Sequence, residues 1–124
     1  MRALIVDDSS FLRQHIGQIL SCMGVVSEEA CNGQEAIAVL KRDKRFDLMF
    51  LDMNMPVMSG MDCVRELRES KLCPNTKVMM VTTEADSKII CEALDFGADE
   101  FLMKPFTADG LREKMSMMGL TTAV

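Results

Sequence analysis

The chain has 124 residues, 48% of them hydrophobic, and a formal net charge of −5; one domain of that size can bury roughly two thirds of its unfolded surface, and a second does not fit. The acidic balance and the lack of any Lys/Arg run argue against DNA or RNA as partners, because nucleic-acid affinity rests on clustered cations that neutralise phosphates. No segment approaches the roughly twenty apolar residues of a membrane span, and Arg2 leads straight into a strand-like run, without the apolar stretch and cleavage site of a signal peptide.

Along the chain, short β-like runs alternate with segments of helical period. The first run, 3-ALIV-6, ends in Asp7 and Asp8. Ser9 or Ser10 can then cap a helix whose apolar positions Leu12, Ile16, Ile19, Leu20 and Met23 follow the i, i+4, i+7, i+8 pattern, with Gly24 able to end it. A weaker strand near 25-VVSEEA-30 leads through Asn32-Gly33 into a helix with Ala36, Ile37 and Leu40 on one face. The third run, 47-DLMFLD-52, reads as a strand buried on both faces, and it ends in the bare carboxylate of Asp52.

Beyond Pro56 and Gly60 comes a helix through Met61, Val64 and Leu67, with Pro74 past its end. Then follow 77-KVMMVT-82, a helix around Ile90, Ala93 and Leu94 ending near Gly97, the run 100-EFLMK-104, and a last helix from Thr107 carrying Leu111 and Met115. Five β/α units in series imply an α/β fold: a five-stranded parallel sheet with helices on both faces. Five cysteines, Cys22, Cys31, Cys63, Cys73 and Cys91, form neither a C-x-x-C pair nor a metal-site spacing; they are expected to be reduced, mostly buried thiols of a cytosolic protein.

In open parallel sheets the binding crevice lies outside the carboxyl ends of the strands, where strand order reverses. Asp7 and Asp8 follow the first strand, Asp52 ends the third, Thr82 closes the fourth and Lys104 the fifth, so these polar residues should converge on one edge. Three carboxylates gathered there repel by about 3 kcal/mol per pair at ~5 Å and an effective dielectric near 20. A hard divalent ion with oxygen ligands would offset that, and Mg²⁺ suits a site of few carboxylates, waters and a phosphoryl oxygen. With Lys104 as a fixed cation and Thr82 as a hydroxyl donor, Asp52 is arranged as a nucleophile towards phosphorus.

The segments 4-LIVDDSSFLR-13, 32-NGQEA-36, 50-FLDMNMPVMSG-60, 78-VMMVTTEA-85 and 97-GADEFLMKPF-106 carry a family resemblance. In order and spacing, over almost the whole chain, the sequence resembles the receiver domains of two-component response regulators, particularly the single-domain chemotaxis (CheY-like) kind. The resemblance implies a flavodoxin-like fold with strand order 2-1-3-4-5, a receiver domain over residues 1–120 and a short C-terminal tail over 121–124. It makes Asp52 the phosphoacceptor and Asp7 and Asp8 the acidic pair that holds Mg²⁺, Asp8 ahead of Asp7 as the direct ligand. Asn54 matches the position that offers Mg²⁺ its backbone carbonyl, Thr82 the hydroxyl that moves toward the phosphoryl group, and Lys104 the lysine that pairs with it. The Lys104–Pro105 peptide is expected to be cis.

Phe101 matches the aromatic switch position, where many chemotaxis members have Tyr; the ring's burial is kept and a hydroxyl for a partner is lost. Thr83 stands where the family often has Ala or Gly, and its bulk could slow small phosphodonors. Asn54 and Glu84 match the positions that tune self-hydrolysis of the acyl phosphate, and polar side chains at both favour a transient signal. On the face of the fourth helix, fifth strand and fifth helix, Lys88, Glu92, Asp95, Glu100 and Met103 are the candidate partner contacts.

The implied function is a stand-alone, cytoplasmic regulator, monomeric when unphosphorylated. It would take a phosphoryl group from a histidine kinase and signal by binding a protein such as a flagellar motor switch component or a phosphatase. It would not be an enzyme beyond promoting its own phosphorylation and dephosphorylation. A phosphorelay intermediate is the alternative within the class. An Mg²⁺-dependent phosphohydrolase of the haloacid dehalogenase type would need a second Asp where Asn54 stands, and a flavin-binding domain would need a phosphate-cradling loop where Asp7 and Asp8 stand. Met53, Met55, Met58 and Met61 read as core filler before docking surface, His15 as a bystander on the first helix, and Lys41 to Arg45 as a solvated helix end.

Overall fold

A computed structural model describes residues 1–120 of the chain; the 121–124 tail lies outside the described residues. In chain order the elements are β1 (Arg2–Val6), α1 (Ser10–Cys22), β2 (Val26–Ala30), α2 (Gly33–Arg42), β3 (Leu48–Asp52), α3 (Gly60–Glu69), β4 (Lys77–Thr82), α4 (Ser87–Asp95), β5 (Glu100–Met103) and α5 (Ala108–Met117). All pairings are parallel, as the alternation of runs predicts, and the sheet order is β2-β1-β3-β4-β5, as the family resemblance implies.

The sheet has two dry faces because successive residues of a strand point to opposite sides. Leu4, Val6, Met49, Leu51, Val78 and Met80 pack against α2, α3 and Ala93 of α4. Ala3, Ile5, Leu48, Phe50, Met79 and Val81 pack against α1 and α5 through Ile16, Leu20, Leu111 and Met115. Every residue of β3 is buried, which is why its sequence reads as a continuous apolar run. Each such Leu, Met or Phe removed from water contributes about 1.5–3 kcal/mol.

Side chains of the types that satisfy orphan helix amides cap every helix. Ser9, not Ser10, caps α1; Asn32, Ser59, Asp86 and Thr107 cap the other four. One expectation about burial fails. Only Cys63 and Cys73 are buried, while Cys22, Cys31 and Cys91 are exposed: helix period and loop position place these three outward, overriding the tendency of a thiol to bury. Leu94 is 39% exposed, since the inward stripe of α4 runs through Ile89 and Ala93, and the next residue turns about 100° away from it.

Chain order reverses beside β1, since β2 lies on one side of it and β3 on the other. The carboxyl ends of β1 and β3 therefore flank the switch-point crevice, with those of β4 and β5 alongside.

Candidate functional site

Asp52 is the last residue of β3 and Asp7 the first after β1; they are 5% and 2% exposed, whereas Asp8 is open to solvent. One carboxylate oxygen from each of the three lies within 4.8 Å of the others. The amide of Ser9 donates to Asp7 Oδ1 at 2.8 Å, so the turn into α1 pins that carboxylate. Lys104, delivered by β5 and followed by a cis peptide to Pro105, brings Nζ to 3.2 Å from Asp52 Oδ1 and 3.5 Å from Asp7 Oδ2.

At those separations and an effective dielectric near 20, each attraction is worth about 5 kcal/mol, of the same order as the repulsions among the three carboxylates. One lysine among three carboxylates leaves the cluster formally negative. Burial first, and the charge of Asp7 second, push the Asp52 carboxyl above its ordinary value, against the pull of Lys104 and of the Asn54 amide. That amide donates to Asp52 Oδ1 at 3.4 Å.

Thr82 ends β4, 1% exposed. Its hydroxyl accepts from the Glu84 amide at 2.8 Å and donates to Met53 Sδ at 3.6 Å. Among the described residues it makes no hydrogen bond to Asp52 or Lys104. Glu84 is half-buried and turns its carboxylate to the Asp86 amide, 2.8 Å away, while Thr83 and Asn54 are exposed at the rim.

Phe101 on β5 is partly buried against the cluster that contains Met53, with Lys114 Nζ 4.6 Å from its ring centre. Lys88, Glu92 and Asp95 stand exposed on α4. Glu100 is tied to α5 by Lys114 at 3.3 Å, and Met103 is half-buried beside it. Met55, Met58 and Met61 pack partly buried on the α2–α3 side, as gap fillers do. His15 is exposed and stacks on Phe106 with ring centres 5.6 Å apart.

Sequence reasoning missed two participants. Arg13 donates to the Asp7 carbonyl at 2.6 Å and to Glu29 Oε1 at 2.8 Å, bracing the β1 end; its spacing from Asp7, nearly two helical turns, could have drawn attention to it. Met53 gives no such signal, because a methionine after a buried strand reads as core.

The fold and this pocket define a class: a doubly wound α/β domain whose switch-point crevice holds an acidic cluster partly balanced by one lysine. Residues 3–116 match the response regulator receiver domain family. The sequence is 39% identical to the chemotaxis protein CheY of Pseudomonas aeruginosa over 116 residues, 93% of each chain. Its fold superposes on Vibrio cholerae CheY4 with a TM-score of 0.86 at 34% identity, covering 96% of this chain and 97% of that one. A chain of the CheX–CheY–BeF3–Mg²⁺ complex of Borrelia burgdorferi matches at a TM-score of 0.87 and 29% identity over 95% and 89%.

The chain belongs to the response regulator receiver domain family. Within it, the chain is of the CheY-like chemotaxis type.

Proposed function

We propose that Asp52 accepts a phosphoryl group from the phosphohistidine of a histidine kinase, and that the phosphorylated protein signals by binding a target protein in chemotaxis or motility. The observation that carries this is the Asp52 carboxylate held at a strand end, 3.2 Å from Lys104 and beside two further aspartates. Asp52 attacks phosphorus, the P–N bond to the donor histidine breaks, and Lys104 pairs with the added negative charge.

The cluster of hard oxygen donors fits Mg²⁺. Asp8, open to solvent, and Asp52 would hold it, with Asp7 and the Asn54 carbonyl beside them. Bound there, the ion would neutralise phosphoryl oxygens. Residues 1–120 act as the receiver domain of a cytoplasmic protein. It turns over no small substrate, and its acyl phosphate decays by self-hydrolysis tuned by Asn54 and Glu84.

Phosphorylation adds nearly two negative charges and three acceptor oxygens. Thr82 leaves its present partners for that group, and Phe101 moves into the space it vacates. The surface carrying Lys88, Glu92, Asp95, Glu100 and Met103 then changes shape and selects a target such as a flagellar motor switch component or a phosphatase.

The test is Mg²⁺-dependent phosphorylation by acetyl phosphate, read by intact mass, with Asp52→Asn alongside. Gain of one phosphoryl group by the wild type alone supports the reading. No gain, together with no binding of beryllofluoride, refutes it. Glu84→Ala should change the decay rate, and an unchanged rate removes Glu84 from the account.

A further inference from the structure

We infer that the Met53 thioether is the resting-state acceptor for the Thr82 hydroxyl, and so a positioning residue that sets how readily the protein enters its phosphorylated geometry. The inference rests on the phosphoacceptor reading of Asp52 and deepens it. Thr82 Oγ1 already accepts from the Glu84 amide at 2.8 Å, so its own proton must go elsewhere. Buried at 1% exposure, it has no solvent to use. Met53 Sδ, 3.6 Å away, takes that proton, and among the described residues no buried side-chain oxygen is left without a partner.

The backbone of Met53 is held from two sides. Its amide donates to the Val81 carbonyl at 3.1 Å, and its carbonyl accepts from the Gly60 amide at 2.9 Å. Gly60 is confined there too, since a β-carbon on it would lie 2.8 Å from Met53 Cα. With its backbone anchored, Met53 is 6% exposed in the core cluster that Phe101 packs against, where close packing keeps the thioether beside the Thr82 hydroxyl. A thioether accepts weakly, so the resting bond is strong enough to satisfy the hydroxyl and weak enough to yield to phosphoryl oxygens.

Met53→Leu conserves volume and removes the acceptor. It leaves the Thr82 donor unsatisfied in the resting state only, which shifts the population toward the inward geometry. Titration with Mg²⁺ and beryllofluoride should show affinity raised roughly five-fold over the wild type. In the free variant, three-bond couplings to the Thr82 methyl should report averaging between χ1 rotamers where the wild type holds one. Unchanged affinity and an unchanged single rotamer overturn the inference while leaving the phosphoacceptor reading intact.

Failure of both proteins to bind beryllofluoride overturns that reading and this inference with it. A second measurement needs no variant: on binding, the Met53 methyl resonance of the wild type should shift together with that of Thr82. A Thr82 shift with a static Met53 methyl overturns the inference as well.

Discussion

Truncating Arg68 should cost this protein a large share of its stability, although the residue lies outside the phosphorylation pocket. From α3 its guanidinium donates to the carbonyls of Gly97 at 3.0 Å, Cys73 at 3.0 Å and Thr76 at 2.8 Å, and to Asp99 Oδ2 at 3.1 Å. It thereby joins α3, the loop before β4 and the α4–β5 turn. Gly97, at φ +114°, presses so closely that a β-carbon there would overlap the Arg68 side chain.

Hydrogen bonds to a charged group contribute about 1.5–3 kcal/mol each, which sets a ceiling of about 12 kcal/mol for four. Because the side chain is 21% exposed, water replaces part of what is lost. A net loss of about 3 kcal/mol for Arg68→Ala follows, against a total stability of roughly 5–15 kcal/mol for a domain. Arg68→Lys should lose about 2 kcal/mol, since one ammonium cannot reproduce a planar fork aimed at four oxygens. Equilibrium urea unfolding is the assay, with the midpoint falling by roughly 1–2 M for Arg68→Ala at unchanged slope. A loss under about 1 kcal/mol for Arg68→Ala would refute the reasoning, and so would Lys proving equivalent to Arg.

Asp52→Asn should be more stable than the wild type at neutral pH without divalent metal. Burial and Asp7 hold the Asp52 carboxyl above its ordinary value, so ionisation penalises the folded state. That penalty is present above the folded-state pKa and vanishes as pH falls below the unfolded one; thermal melts across that range should converge at acid pH, and parallel curves would contradict the cause. Lys104→Met should raise the Asp52 carboxyl further, because Lys104 is the leading influence drawing it down; carboxyl-carbon titration by nuclear magnetic resonance reads this directly, and no movement would refute it. Gly60→Ala should lose about 1–3 kcal/mol in urea unfolding and slow phosphorylation by acetyl phosphate, since a β-carbon there would overlap the Asp52 carbonyl on backbone that cannot yield. Unimpaired phosphorylation would show that the Asp52 loop tolerates the shift.

Element order and the pocket's main residues were legible in the sequence because they depend on periodicity and on the geometry of parallel sheets, whereas strand order came only with the family resemblance. Asp7, Asp52, Thr82 and Lys104 are up to 97 residues apart, yet each ends or follows a parallel strand, and a parallel sheet brings all such ends to one edge. Polar residues at strand ends are therefore readable as a group even when no pair of them is. Exposure was less legible: Leu94, Cys22, Cys31 and Cys91 are apolar or thiol residues whose helix phase or loop position decides burial, and a pattern of single residues does not fix that phase.

Hydrogen-bond direction was not legible at all. The sequence shows that Thr82 has a hydroxyl near Asp52, but which neighbour receives its proton depends on the Glu84 amide occupying one lone pair and on the Met53 backbone being anchored by its bonds to Val81 and Gly60. The same distinction separates the two halves of the site's physics. The charges of Asp7, Asp8, Asp52 and Lys104 act over several ångströms, so approximate placement by strand topology suffices to read their chemistry. The direction of the Thr82 proton is set by a 3.6 Å contact with a side chain of no formal charge, which only coordinates can supply. A residue can thus govern the readiness of the switch while looking, in sequence, like one more methionine of the core.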